Sequence, residues 1–151
     1  TVQKSQISLK NPKKRILFDP SESIDLHGFT ATFVQYTYAR TQSVLRKVSA
    51  LDNIKIDNNQ IELEAAEKEL IVKLYQYPIV LEASCQEMNP AKWIEYIYEL
   101  AKTYNKFYND CQILQAEEES VRNIRILLTQ KTATAIYAGF DLVGIQVPER
   151  M

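Results

Sequence analysis

The chain has 151 residues, 46% of them hydrophobic, enough for one domain that buries about two-thirds of the surface its unfolded form exposes. A formal net charge of −1 excludes a global field that draws the chain to nucleic acid, and 3 Gly with 5 Pro are few for an all-β protein with many turns. The charge is unevenly spread: residues 1–50 hold eight Lys/Arg against three Asp/Glu and residues 51–100 hold four against ten, so any contact with a polyanion falls mostly to the first third.

Residues 1–28 carry no helical period. Lys10 to Arg15 is polar and basic around Pro12, and Ile16, Leu17 and Phe18 form a short apolar run closed by Asp19-Pro20 and the turn-like Ser21 to Ser23. This stretch reads as an extended arm whose apolar triplet needs cover, from the helices that follow or from a domain outside this sequence. Gly28 then releases the chain into a helix expected over about Phe29 to Leu51. Val34, Tyr38, Thr41, Leu45 and Val48 recur on it at steps of three and four, which gives a face to bury. A second stripe, Phe33, Tyr36, Arg40, Ser43 and Lys47, alternates ring, ring, cation, hydroxyl and cation. That pattern fits a solvated helix edge, and it also fits a surface that stacks bases and holds phosphates.

Asp52-Asn53 and Asp57-Asn58-Asn59 bracket a polar loop. A second helix is expected from about Gln60 to Gln76, where the early acids Glu62, Glu64 and Glu67 suit a positive helix N-terminus. Leu63, Ala66, Leu70, Leu74 and Tyr77 form its stripe, and Pro78 breaks it before a short helix over Ile79 to Met88. Asn89-Pro90 is a start signal, an N-cap followed by a proline whose missing N–H is not needed at the first helical position. The helix it opens, to about Cys111, buries Trp93, Ile97, Leu100, Tyr104, Phe107 and Cys111 on one stripe and leaves Tyr108 beside it, half exposed. Gln115 to Glu118 links to a last helix that opens on Glu117-Glu118-Glu119 and runs to about Phe140, with Ile124, Leu127, Leu128, Ala135 and Ala138 inside. Gly139 and Gly144 loosen its end, and Val147-Pro148 stops it. The expected fold is an all-α bundle of about five helices over residues 29–151, behind an extended arm over 1–28.

A catalytic set is not found. The three Gly are too scattered for a phosphate loop, and the lone His27 has no nucleophile or acid at a telling spacing. Glu67 with Glu69, and Glu117 to Glu119, read as solvated charge runs rather than acid–base pairs. Cys85 and Cys111 lie far apart and read as buried free thiols in preference to a disulfide, and without a closely spaced pair they offer no structural zinc site. No apolar run is long enough to span a membrane and no secretion signal opens the sequence, which points to the cytoplasm. Binding is what remains.

The run Phe33-Val34-Gln35-Tyr36-Thr37-Tyr38-Ala39-Arg40 with Ser43-Val44-Leu45-Arg46-Lys47 resembles the first helix of the DALR-type anticodon-binding domain of arginyl-tRNA synthetases, class I enzymes. Ile24-Asp25-Leu26-His27-Gly28 is similar to the segment that enters that helix, and Tyr98-Glu99-Leu100-Ala101 with Phe107-Tyr108 to the long central helix. Leu142-Val143-Gly144-Ile145 with Pro148-Glu149-Arg150-Met151 resembles the family's C-terminus, so the likeness covers about residues 12–151. The chain departs from the family after Gly28, where Phe29-Thr30-Ala31-Thr32 stands in place of the frequent Asn, Thr, Gly and Pro.

The resemblance implies a C-terminal domain that holds the anticodon loop of an arginine tRNA for ATP-dependent aminoacylation elsewhere in a longer enzyme. The HIGH and KMSKS signatures of the Rossmann-type catalytic domain do not occur in this sequence. ATP and magnesium are therefore expected only in that catalytic domain, with no cofactor here. It further implies Tyr36, Arg40, Tyr108, Met151 and Phe33 as anticodon contacts, Arg46 and Lys47 as phosphate contacts, and the catalytic domain as a second partner. A monomer without membrane contact is expected. The competing expectation is a helical protein-interaction module that docks through its apolar arm.

Overall fold

The computed structural model describes residues 30–48 and 61–151; the expected arm over 1–28 and the loop at 52–59 lie outside the described residues. Thr30 opens helix α1 (Ala31–Leu45): its backbone is extended and its Oγ1 accepts from the Phe33 N–H at 3.2 Å, satisfying one of the free donors of the first turn. Where the family-like segment departs from its usual residues, a threonine thus supplies the cap. The helix stops short of the expected Leu51. After Leu45 the backbone bonds tighten to Lys47 N–H to Val44 and Val48 N–H to Leu45, each 3.0 Å.

Helix α2 (Ala65–Tyr75) begins later than the acids at Glu62 and Glu64 suggested, because Glu67 reaches back to accept from the Glu64 N–H at 2.6 Å and so sets the start there. Gln76 separates it from α3 (Tyr77–Gln86), and Pro78 lies in the first turn of α3, where its ring is tolerated. Asn89 N–H to Ser84 (2.9 Å) and Met88 N–H to Cys85 (3.1 Å) close α3, with Met88 at φ 49°. Helix α4 (Pro90–Asp110) follows at once. Asn89 does precede it, but its side chain makes no capping bond and its buried Oδ1 has no partner among the described residues. The Asn89 N–H closes the end of α3, and its backbone sits at φ −119° and ψ 87°, outside the extended conformation that an N-cap takes. Helix α5 (Glu119–Asp141) ends on the same kind of turn, with Gly144 at φ 70° and Ile145 N–H to Phe140 at 2.9 Å.

Helix α4 is central. It packs against each of the other four helices, while α5 also meets α1 and α2. The α4 stripe from Trp93 to Cys111 is buried as expected. The inner face of α5 is different from the expected one. Ile124, Leu127, Ala135 and Ala138 are only partly covered, and the buried side carries Arg125, Ile126, Leu128, Thr129, Thr132, Ala133, Ile136, Gly139 and Phe140.

Polar residues occupy that side because each has a partner. The Thr129 and Thr132 hydroxyls donate to Arg125 and Leu128 carbonyls at 2.9 and 2.8 Å. Arg125 donates to Glu67 Oε1 and Glu64 Oε1, each at 2.6 Å, and to the Gln112 carbonyl at 3.2 Å. Glu67 is 1% exposed, so it is a buried partner rather than part of a solvated run. Burial works against the Arg125 charge, but the Glu67 hydrogen bond and charge outweigh it and hold the guanidinium above its ordinary value.

Gly139 does not loosen α5. Its carbonyl accepts from the Trp93 indole N–H at 2.9 Å, and a Cβ there would overlap the Ile97 side chain. Glycine lets α4 and α5 approach at this level. Tyr96 adds a tie in another direction, donating its hydroxyl to the Lys73 carbonyl in the last turn of α2 at 2.6 Å.

Candidate nucleic-acid interface

Helical spacing places Tyr36, Arg40 and Ser43 on one edge of α1, and the end of α4 brings Asn105 and Tyr108 alongside. The Arg40 guanidinium carbon lies 4.9 Å from the Tyr36 ring centroid and 4.8 Å from that of Tyr108, so one cation stands over two rings. Its Nη1 donates to Asn105 Oδ1 and its Nη2 contacts the Tyr36 hydroxyl at 3.5 Å. The rings themselves remain open to solvent, 41% exposed for Tyr36 and 38% for Tyr108.

The C-terminal tail is the third wall. Ile145 is buried and Val147 packs on the core. Gln35 donates to the Gln146 carbonyl at 2.6 Å, and Arg46 to the Glu149 carbonyl at 3.1 Å, which lays the tail along α1. The result is a recess of about 470 Å³ lined by Tyr36, Ala39, Arg40, Ser43, Arg46, Tyr108, Arg150 and Met151. Three guanidinium groups and no carboxylate side chain line it, so it favours an anionic ligand with flat groups to stack. Among the described residues no group of acids, cysteines or histidines is placed to hold a metal ion, and no helix is long and apolar enough to cross a membrane.

A family model described as the DALR anticodon binding domain matches residues 34–151. The chain belongs to that family. This DALR domain is 43% identical over 141 residues to the arginine–tRNA ligase of Flavobacterium psychrophilum, a match that covers 93% of the chain and 23% of that protein. It is 41% identical over 143 residues to the arginine–tRNA ligase of Porphyromonas gingivalis, covering 93% and 24%. It also superposes on the arginyl-tRNA synthetase of Thermus thermophilus with a TM-score of 0.86 at 28% identity, over 99% of this chain and 26% of that one. The chain therefore spans about a quarter of the length of the curated relatives it matches.

Within the DALR domain, Tyr36, Arg40, Arg46, Tyr108 and Met151 share the one recess. Phe33 and Lys47 do not line it. The Phe33 ring lies 5.1 Å from that of Tyr98, half-buried between α1 and α4, while Lys47 is exposed in the turn after α1. Residue reasoning missed Asn105 and Arg150 as members of the site. Asn105 had one signal, an amide three residues before Tyr108 on an otherwise aromatic helix, and Arg150 had its place beside Met151. His27 lies outside the described residues.

Proposed function

We propose that this DALR domain binds the anticodon loop of an arginine tRNA and holds it for ATP-dependent aminoacylation by a catalytic domain of a longer protein. The observation that carries the reading is the recess, in which two open tyrosine rings flank a guanidinium beside two further arginines and a thioether. Loop bases splay out of a hairpin and stack on rings, and the backbone that follows them carries the charge for cations to meet. In this reading Tyr36, Tyr108 and Met151 stack bases. Arg40 presents its remaining N–H groups to a base edge or phosphate, and Arg46, Lys47 and Arg150 hold the backbone. Phe33, outside the recess, supports α1 against Tyr98 and meets a base only at the rim. ATP and magnesium belong to the catalytic domain, and the protein acts as a cytoplasmic monomer.

Filter binding of an arginine tRNA against one with an altered anticodon, over a range of salt, tests it. Affinity should fall with rising salt at about −0.7 in log–log slope per phosphate neutralised, and the altered anticodon should bind more weakly. Tyr36→Ala and Tyr108→Ala should each cost about 1–3 kcal/mol of binding. A protein-interaction module is favoured by one other observation, an apolar groove where Leu74, Tyr75, Tyr77 and Pro78 face Ala135 and Ala138. Failure to bind either tRNA at any salt concentration would overturn the tRNA reading in favour of that one, and equal affinity for both would remove its anticodon specificity.

A further inference from the structure

We propose that Asn105 is a positioning residue of this interface: it anchors the Arg40 guanidinium between the two tyrosine rings, so that the stacking platform exists before a ligand arrives. The inference rests on the tRNA reading above and deepens it.

The geometry defines each atom of the relay. The Thr37 hydroxyl donates to the Phe33 carbonyl at 2.9 Å, so toward Asn105 it can only accept. Asn105 Nδ2 donates to that oxygen at 2.8 Å. The amide is therefore oriented from behind, and its Oδ1 is left facing Arg40 Nη1, a group that only donates. Thr37 is fully buried and Asn105 is half-buried, so the anchor is built into the α1–α4 contact and does not depend on a solvated partner. Arginine otherwise carries a long, freely rotating stem, and cation–π contacts with exposed rings are weak restraints on it. A charge-assisted hydrogen bond to a fixed acceptor is the stronger one. Because Tyr36 and Tyr108 come from different helices, the shared cation also sets how the two rings stand relative to each other.

Two variants separate positioning from mere support of the fold. Asn105→Asp keeps an acceptor for Arg40 but cannot donate to Thr37. Asn105→Leu keeps neither bond. The probe is an anticodon stem-loop of an arginine tRNA carrying 2-aminopurine at successive loop positions, titrated against the full chain with fluorescence as the readout. The unmodified chain should quench the probe at a stacked position. Asn105→Leu should bind about tenfold more weakly, the scale of one charge-assisted hydrogen bond, and should lose most of that quenching. Asn105→Asp keeps an acceptor for the guanidinium but adds a charge that repels an anionic ligand, so it should bind more weakly and yet keep most of the quenching once the probe is saturated. Equal loss of quenching by both variants at saturation would overturn the proposal, as would full quenching by Asn105→Leu. If the unmodified chain neither binds nor quenches the probe, the tRNA reading fails and the inference goes with it.

Discussion

Replacing Arg125 with methionine leaves the Glu67 carboxylate, 1% exposed, with the Glu64 N–H as its one remaining donor among the described residues. The change also removes the bonds from Arg125 to Glu64 and to the Gln112 carbonyl, so α5 loses its polar ties to the start of α2 and to the segment after α4. Breaking a buried pair from one side costs about 3–5 kcal/mol, because a charge is left where water cannot reach it. Against a total of about 5–15 kcal/mol for a domain, this is a large fraction. At about 2–4 °C per kcal/mol the melting temperature should fall by roughly 6–20 °C. Urea unfolding followed by far-UV circular dichroism measures the loss directly. The double variant Arg125→Met with Glu67→Leu removes both charges and should recover most of it, since an apolar pair of similar volume is often as stable as the ion pair. A loss below about 1 kcal/mol for Arg125→Met, or a double variant less stable than the single one, would refute the reasoning.

Two further predictions concern the ends of α3 and α4. Met88 takes a left-handed backbone where Gly144 serves the matching turn after α5, and its side chain is 89% exposed, so Met88→Gly should raise stability by about 0.5–1.5 kcal/mol in the same urea assay. Burial first, and then the Glu64 carboxylate, push the Cys111 thiol from its ordinary 9.0 up to about 11. The unfolded chain therefore loses this proton first as pH rises, so the contribution is whole below pH 9.0 and lost through about 11. The stability difference between the unmodified chain and Cys111→Ala should shrink across that window, by about 2.7 kcal/mol at most, and a difference that stays constant would contradict it.

Residue order alone determined the helical class, the breaks at Pro78 and Asn89-Pro90, and the buried stripe of α4, because helical periodicity and proline act through neighbours in the chain. It also singled out the edge of α1 that carries Tyr36 and Arg40. The interior of α5 was not legible in that way. Apolar spacing pointed to Ile124, Leu127, Ala135 and Ala138, yet Arg125, Thr129 and Thr132 lie inside because Glu67 and nearby carbonyls meet their polar atoms. A local pattern has no access to a partner on another helix. For the same reason Glu67 read as solvated and Gly139 as a loosened end, when one faces Arg125 and the other lets Ile97 and Trp93 come close. The recess shows the division most clearly. Tyr36 and Arg40 share a helix edge by spacing alone, but Asn105, Tyr108, Arg150 and Met151 reach them only because α4 packs on α1 and the tail folds back along it. Contacts between distant segments depend on how helices pack, and packing is decided by the whole core at once.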